Sequence, residues 1–284
     1  MIHFELNWQQ AAGAAACLAI TSAALRAARK PRLTSVSLFT RETALVVGLF
    51  ALWQYAGSFA LMGPGGALGR ARWIWHVERV VRMPSETATQ HVFLPHPLLI
   101  QFFNLYYDLL HFPVLIACLI WLFVRHRASY ARWRTTIVAF TGISLLVQLI
   151  PVAPPRMLPA TGLVDTGVVY HQSVYSNASG FNADQLSAMP SVHVGWAILV
   201  AIAIIATAHG RWRWLAVLYP VMTTLAVVAT ANHFWLDGVA AAAILAIVLG
   251  AQIWVRRLKA ARVSPTALVN PEPADEAAMA ARRQ

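Results

Sequence analysis

Long apolar runs recur along the sequence, and each is close to the length that a helix needs to cross a lipid bilayer. They lie at residues 9–25, 43–62, 100–124, 135–152, 190–208, 214–231 and 235–255. Charged residues make up only 12% of the chain, about half the fraction typical of soluble domains. The pattern predicts an all-α, polytopic membrane bundle with six core spans. The Ala-rich run at 9–25 adds a seventh, N-terminal span to this prediction.

The distribution of Lys and Arg predicts which helix ends face the cytoplasm. The loops of one side are rich in basic residues: Arg26, Arg29, Lys30, Arg32, Arg41, Arg125, Arg127, Arg132, Arg134, Arg211, Arg213, Arg256, Arg257, Lys259 and Arg262. The loops of the other side hold only Arg70, Arg72, Arg79, Arg82 and Arg156. We therefore expect a multi-pass plasma-membrane protein with a cytoplasmic C-terminus. The net charge of +11 follows from these loop clusters, so no nucleic-acid partner is expected.

The same pattern divides the chain into three parts. Residues 1–42 hold the N-terminal span and a basic loop, residues 43–262 the main membrane domain, and residues 263–284 a polar tail. The tail is rich in Ala, Pro and charge, which predicts disorder. Between spans, the outer segment 63–99 carries apolar residues at helical spacing and predicts an amphipathic helix lying in the interface.

Polar residues at the ends of predicted spans are the candidates for function, because ionisable side chains are costly in a bilayer. The fifth run opens with Met-Pro-Ser-Val-His at 189–193, and His-Phe-Trp-Leu-Asp at 233–237 opens the seventh. His233 and Asp237 are four residues apart and share a helix face. The carboxylate can hold one imidazole nitrogen and leave the other free to react.

The predicted topology brings these residues to one place. His193 and His233 both begin helices at the outer boundary, and Arg156 follows the outer end of the fourth span. Helix N-termini favour anions, and an arginine adds a bidentate contact, so a phosphate site is predicted. Two other interpretations stay open: a two-His, one-carboxylate metal site, which Arg156 would disfavour, and the proton relay of a transporter.

Segments 189–193 and 233–237 resemble the second and third signature motifs of the phosphatidic acid phosphatase superfamily (type 2). Ala-Pro-Pro-Arg at 153–156 is similar to the first motif of the branch that contains inositol phosphotransferases, such as inositol phosphorylceramide synthase. The spacing of Tyr107 and His111 also looks like that branch. The resemblance covers roughly residues 70–255.

The resemblance implies a catalytic role for each motif residue. His233 would be the nucleophile that forms a phosphohistidine, Asp237 would orient it, and His193 would act as general acid and then as base. Ser191 and Arg156 would bind the phosphoryl oxygens. The family needs no metal, and no cofactor is expected.

Two departures from the family pattern bear on the reaction. The phosphatases carry a Lys ahead of the first-motif Arg and another Arg before the nucleophilic His. Residues 148–150 here are Gln-Leu-Ile, and Val227 and Val228 occupy the second neighbourhood. Fewer cations disfavour a monoester dianion. We therefore expect transfer of a phosphoryl or phospho-headgroup from a membrane lipid to an alcohol. Hydrolysis of lipid phosphates or polyprenyl diphosphates, with water as acceptor, is the alternative.

The third run carries further polar residues near its predicted outer end. Asn104, Asp108 and His111 follow at i, i+4 and i+7, and with Tyr107 they predict a wall that contacts the substrate. A hydrogen-bonded packing stripe between helices is an equal alternative. The sequence carries no signal for oligomeric state, donor or acceptor identity.

Overall fold

A computed structural model describes residues 7–57, 65–173 and 185–263 of the chain. Within these ranges the protein is helical and contains no β-strand. Eleven α-helices lie there: α1 (Trp8–Ala27), α2 (Pro31–Gly57), α3 (Ala67–Val80), α4 (Glu86–Phe93), α5 (Pro97–Leu109), α6 (His111–Arg125), α7 (Arg127–Gln148), α8 (Thr166–Val169), α9 (Val192–Thr207), α10 (Leu218–Ala229) and α11 (Trp235–Val263). Short 3-10 segments occupy Pro155–Met157, Pro159–Thr161 and Arg211–Val217. The predicted polar tail lies outside the described residues.

Three of the described helical segments are long and apolar enough to cross a membrane: Pro31–Leu52, Arg211–Ala229 and Trp235–Ala261. The bent pair α5–α6 would make a fourth if it forms one span, and α9 is apolar but shorter. The predicted all-α class is therefore confirmed, and the three candidate spans are consistent with a membrane protein. The count of six core spans and the extra N-terminal span remain predictions, although α1 is a helix at the expected place.

Described residues up to Leu245 form one compact unit, and those from Ala246 onward form a second one. The three-part division predicted from the sequence, with boundaries at residues 42 and 262, is a different partition and stays a prediction. All the residues discussed below belong to the first unit.

The third predicted span is not one straight helix, because the chain bends by 52° between α5 and α6. Pro113 explains the break. A proline has no N–H to donate and its ring clashes with the carbonyl four residues earlier, which belongs to Leu109, the last residue of α5. Asp108 is exposed, whereas Asn104 on the same helix and His111 beyond the break are buried. That these three residues share one face and contact the substrate remains a prediction.

The predicted outer amphipathic helix is in fact two helices, α3 and α4, joined by a short turn. Trp73 and Val80 of α3 are about two-thirds exposed, at 64% and 66%. The opposite face of α3 is buried and packs against the first-motif loop, the residues before α9 and the start of α11, through Ile74, Ala153, Ala188 and Phe234. Helix α3 therefore covers the region where the three motifs meet.

Helices α7 and α9 approach closely at Gly195, two residues after His193. A Cβ at this position would lie 1.9 Å from Cζ of the Phe140 ring, which is itself fully buried. Only glycine allows this contact, because the ring has no space to move away. The close packing fixes the first turn of α9 and with it the position of His193.

Candidate active site

His233 and Asp237 meet at the start of α11. The distance from Nδ1 of His233 to Oδ2 of Asp237 is 3.3 Å, and both side chains are almost completely buried. The same Oδ2 accepts a hydrogen bond of 2.8 Å from the backbone N–H of Phe234. The carboxylate is therefore held in place from the helix itself, as the spacing of the two residues predicts.

A backbone carbonyl is the nearer partner of the imidazole. Nδ1 of His233 lies 2.7 Å from the oxygen of Ala188, in the segment that leads into α9. A carbonyl can only accept, so the proton resides on Nδ1 and the lone pair on Nε2. This tautomer makes Nε2 the nitrogen that can attack an electrophile.

The second histidine stands beside the first. The ring centroids of His193 and His233 are 5.8 Å apart. The ring of Tyr107 lies against His193 at 4.4 Å, and the ring of His111 meets it edge-on at 4.3 Å. Two imidazoles at this separation can flank a phosphoryl group, one attacking and the other serving the leaving or entering oxygen.

Ser191 links the second motif to the third. Its backbone N–H donates to the carbonyl oxygen of Asp237 at 3.1 Å, which ties the start of α9 to the first turn of α11. Its fully buried hydroxyl caps α9 by accepting a 3.4 Å hydrogen bond from the N–H of Val194. Ser191 therefore holds the starts of α9 and α11 together, in addition to its predicted role in phosphate binding.

Arg156 is buried at the edge of this group. Its backbone N–H donates to the carbonyl of Ala231, and its guanidinium donates to the side-chain oxygen of Asn232, the residue before His233. The Nε atom lies 3.2 Å from Oδ2 of Asp165 in an ion pair. The first motif is thus joined directly to the third, with the guanidinium bonded to the residue that precedes His233.

A small cavity of about 10 Å³ lies beside Arg156. Three of the residues predicted to bind phosphate or substrate line it, namely Asn104, Tyr107 and Arg156, and so do Asp165, Gln172 and Asn232. The side-chain amide of Asn104 donates to Oε1 of Gln172 at 3.1 Å. Asp108 does not line this cavity, and His111 lies against His193 instead. Of the four residues of the predicted substrate wall, Asn104 and Tyr107 therefore line this cavity, whereas Asp108 and His111 do not.

The sequence reasoning missed Glu78, which supports the start of α11 from outside. Its Oε1 accepts a 2.7 Å hydrogen bond from the backbone N–H of Leu236, the neighbour of Asp237. Burial, and then a hydrogen bond with the carboxyl of Glu86, raise the pKa of Glu78 to about 9. Glu78 is therefore a neutral acid at pH 7. The available signal was its position on the apolar face of α3, four residues after Ile74.

Asp165 and Asn232 were also missed, although both contact Arg156. Asn232 adjoins the third motif, but Asp165 lies in irregular chain where no periodicity marks it. Among the described residues, no group of three or more His, Cys, Asp or Glu side chains is arranged to hold a metal ion. The expectation of a metal-free reaction stays a prediction.

Comparison with known families agrees with this geometry. A family model described as the PAP2 superfamily matches residues 72–251, which is more than half of the chain. The matched region includes the Arg156 loop, the start of α9 and the start of α11. No curated protein and no solved structure matches the chain significantly. The chain therefore belongs to the PAP2 superfamily.

Proposed function

We propose that this protein is a phosphotransferase of the plasma membrane that moves a phosphoryl or phospho-headgroup from a lipid donor to an alcohol. The reaction passes through a phosphohistidine on His233 at the outer face. Membership of the PAP2 superfamily points to a phosphatase- or phosphotransferase-type function. The observation that carries the proposal is the pair of acceptors on Nδ1 of His233, which leaves Nε2 unprotonated beside a second imidazole.

The first half-reaction forms the covalent intermediate. Nε2 of His233 attacks the donor phosphorus, a P–N bond forms, and the bond from phosphorus to the leaving lipid oxygen breaks. The leaving oxygen takes a proton from His193, which must enter this step as imidazolium. Arg156 and Ser191 bind the non-bridging oxygens, where charge develops in the transition state.

The second half-reaction restores the enzyme. The acceptor hydroxyl gives its proton to His193, now a neutral base, while its oxygen attacks phosphorus and the P–N bond breaks. His233 returns to its neutral tautomer with the proton still on Nδ1. Asp237 and the carbonyl of Ala188 favour the positive charge that His233 carries during both steps, because both are acceptors close to the ring.

The charges around the cavity support a diester donor over a monoester. Among the described residues that line the cavity, Arg156 is the only cation, and Asp165 pairs with it. The remaining lining groups are largely amides and hydroxyls, which suit a neutral polar headgroup or acceptor. A monoester dianion requires more positive charge than this cavity offers. This charge balance favours the inositol-phosphotransferase-like branch suggested by the first motif.

Purified protein given labelled phospholipid with and without an alcohol tests the proposal. We expect a labelled alcohol product that requires acceptor, disappears in His233→Ala and persists in a strong chelator. His91→Ala is the matched control, since His91 is exposed on α4. Release of free phosphate alone, even with acceptor present, would establish a hydrolase. Loss of activity in chelator would support the alternative of a metal site. Absence of turnover with every lipid tested would support the alternative of a transporter.

A further inference from the structure

A second polar cavity lies at the other end of the bundle. It has a volume of about 170 Å³ and is enclosed by the cytoplasm-predicted ends of α2, α6 and α7. The residues that matter for its chemistry are Arg41, Glu42, Phe123, Arg127, Tyr130 and Arg134. None of them takes part in the proposed reaction.

Helix α7 extends from the candidate active site to the second cavity, so its length gives the distance between the two sites. Its last residue, Gln148, donates to the carbonyl oxygen of Pro190 at 3.2 Å, three residues before His193. Its first residue, Arg127, lines the second cavity. At 1.5 Å per residue, Arg134 and Arg127 lie roughly 20 and 30 Å along the helix from Gln148. The separation approaches the thickness of a bilayer hydrocarbon core.

The wall of the cavity carries a surplus of positive charge. Glu42 is buried and accepts hydrogen bonds from Arg41, at 2.6 Å and 3.2 Å, and from Arg134. One carboxylate thus positions two guanidiniums, while Arg127 adds a third. Three arginines against one glutamate give a net charge of +2. A basic pocket between membrane helices attracts an anion.

Aromatic rings fix the arginines and continue into apolar surface. The guanidinium carbon of Arg127 lies 4.5 Å from the ring centre of Phe123, and that of Arg134 lies 5.8 Å from Tyr130. The adjoining helix faces expose Phe39 and Val124, at 45% and 67%. Charge beside exposed apolar surface suits a headgroup with attached acyl chains better than it suits free phosphate.

We propose that this cavity binds the phosphate headgroup of an anionic phospholipid, at a site separate from the active site. Arg127 and Arg41 contact the headgroup oxygens, Glu42 holds Arg41 and Arg134 in position, and the acyl chains lie along α2 and α6. The site does not depend on the proposed reaction, because none of its residues belongs to the catalytic group.

Native mass spectrometry of the full-length, delipidated protein tests the site with phosphatidylglycerol and phosphatidylcholine as probes. We expect preferential retention of phosphatidylglycerol, with Arg41→Gln and Arg127→Gln each weakening it about fivefold, because each basic residue near an anionic headgroup contributes roughly that factor. Arg125→Gln is the matched control, since Arg125 ends α6 and is exposed but does not line the cavity. Both substituted arginines are exposed, so folding is retained; equal unfolding temperatures in phosphatidylcholine verify this.

Three results would overturn the proposal. The first is equal retention of the two lipids, and the second is an equal loss in the Arg125 control, which would indicate diffuse attraction to the basic end of the bundle. The third is displacement of phosphatidylglycerol by inorganic phosphate at the same concentration, which would show that the cavity is a free-anion site.

Discussion

The carbonyl oxygen of Ala188 lies 2.7 Å from Nδ1 of His233, closer than the carboxylate of Asp237 at 3.3 Å. The orientation of His233, the proposed nucleophile, therefore rests on two acceptors from different parts of the chain. Ala188 precedes α9, so the segment that delivers His193 also fixes the tautomer of His233. The segments that carry the two motif histidines are coupled through this hydrogen bond.

This double support predicts a limited effect of Asp237→Asn. Oδ2 serves both His233 and the N–H of Phe234, whereas Oδ1 has no partner among the described residues. An asparagine can place its oxygen at the first position and its amide nitrogen at the second. Because the carbonyl of Ala188 still holds the tautomer, we expect kcat to fall about 10- to 100-fold, as for the loss of other orienting partners.

Steady-state phosphotransfer by Asp237→Asn, Asp237→Ala and His233→Ala checks this prediction. His233→Ala should abolish covalent transfer, because the nucleophile itself is missing. Asp237→Ala should be worse than Asp237→Asn, because it also leaves the N–H of Phe234 without its acceptor. Equal inactivity of Asp237→Asn and His233→Ala would contradict the role assigned to Ala188.

Glu78 and Glu86 form a pair of buried carboxyls behind the start of α11, outside the membrane-spanning segments. Oε2 of Glu78 and Oε1 of Glu86 have no donor among the described residues, so one shared proton satisfies both. Arg79 pairs with the other oxygen of Glu86 at 3.0 Å. The proton therefore resides on Glu78, consistent with its pKa of about 9.

The raised pKa of Glu78 predicts how stability depends on pH. The folded value of about 9 exceeds the ordinary value of 4.5, so the folded chain binds the extra proton. This contribution to stability is complete below about pH 4.5 and is lost as the pH rises through 9. The unfolding temperature of the wild type should therefore decrease as the pH rises between these limits. In Glu78→Gln this decrease should be smaller.

Glu78→Gln copies the neutral acid and keeps the acceptor for the N–H of Leu236. We expect it to retain activity, whereas Glu78→Ala should lower kcat by about tenfold, since it removes a partner that orients the helix of Asp237. Low activity of Glu78→Gln at pH 7, together with normal unfolding, would mean that the carboxylate form of Glu78 is required.

The sequence was sufficient to predict the helical class and the clustering of His193, His233, Asp237 and Arg156. Both predictions rest on the spacing and hydropathy of residue types, which the sequence contains. The carbonyl acceptor of Ala188 could not be predicted, because every residue has a backbone carbonyl and the residue type does not indicate which group it binds. Asp165 was missed because irregular chain has no period to follow.

The bend at Leu109 shows a different kind of failure. Pro113 was visible in the sequence, but hydropathy alone joined α5 and α6 into one span. A proline is also tolerated in the first turn of a helix. The presence of Pro113 alone therefore does not decide between one kinked helix and two separate helices. The bend follows Asn104 and Asp108, which both belong to α5, and separates them from His111, whose ring contacts His193.

His111 offers a test between substrate contact and packing. Both ring nitrogens are buried and make no hydrogen bond of good geometry with the part of the chain that the structure describes, although the carbonyls of Tyr106 and Tyr107 lie near the ring. Unsatisfied buried nitrogens are costly unless a ligand meets them. His111→Phe keeps the ring contact with His193 and removes both nitrogens. We expect at least a tenfold loss of activity, of the size typical of one lost proton-transfer or hydrogen-bonding group.

The unfolding temperature separates the two interpretations. Removing two unsatisfied nitrogens should leave the stability of His111→Phe equal to wild type or slightly higher. Reduced activity with undiminished stability supports substrate contact. Full activity would identify His111 as part of a packing stripe between helices.

Asp165 pairs with Arg156 and would compete with the proposed lipid donor for this arginine. Its Oδ2 lies 3.2 Å from Nε of the arginine, and its side chain is 35% exposed. Its Oδ1 also caps α8 through the N–H of Val168, a role that asparagine fills equally well. Asp165→Asn therefore removes the competing charge without removing the cap. We expect the KM for an anionic lipid donor to fall by about threefold to tenfold, a modest change because solvent screens the partly exposed carboxylate of Asp165.

Measuring KM at low and high salt checks the electrostatic origin of this effect, because added ions screen the charge of Asp165. The advantage of Asp165→Asn should shrink as salt increases, and kcat should change little. Asp165→Glu, which keeps the charge, is the matched control and should not lower KM. A higher KM in Asp165→Asn would instead show that the ion pair orients Arg156 toward the phosphate.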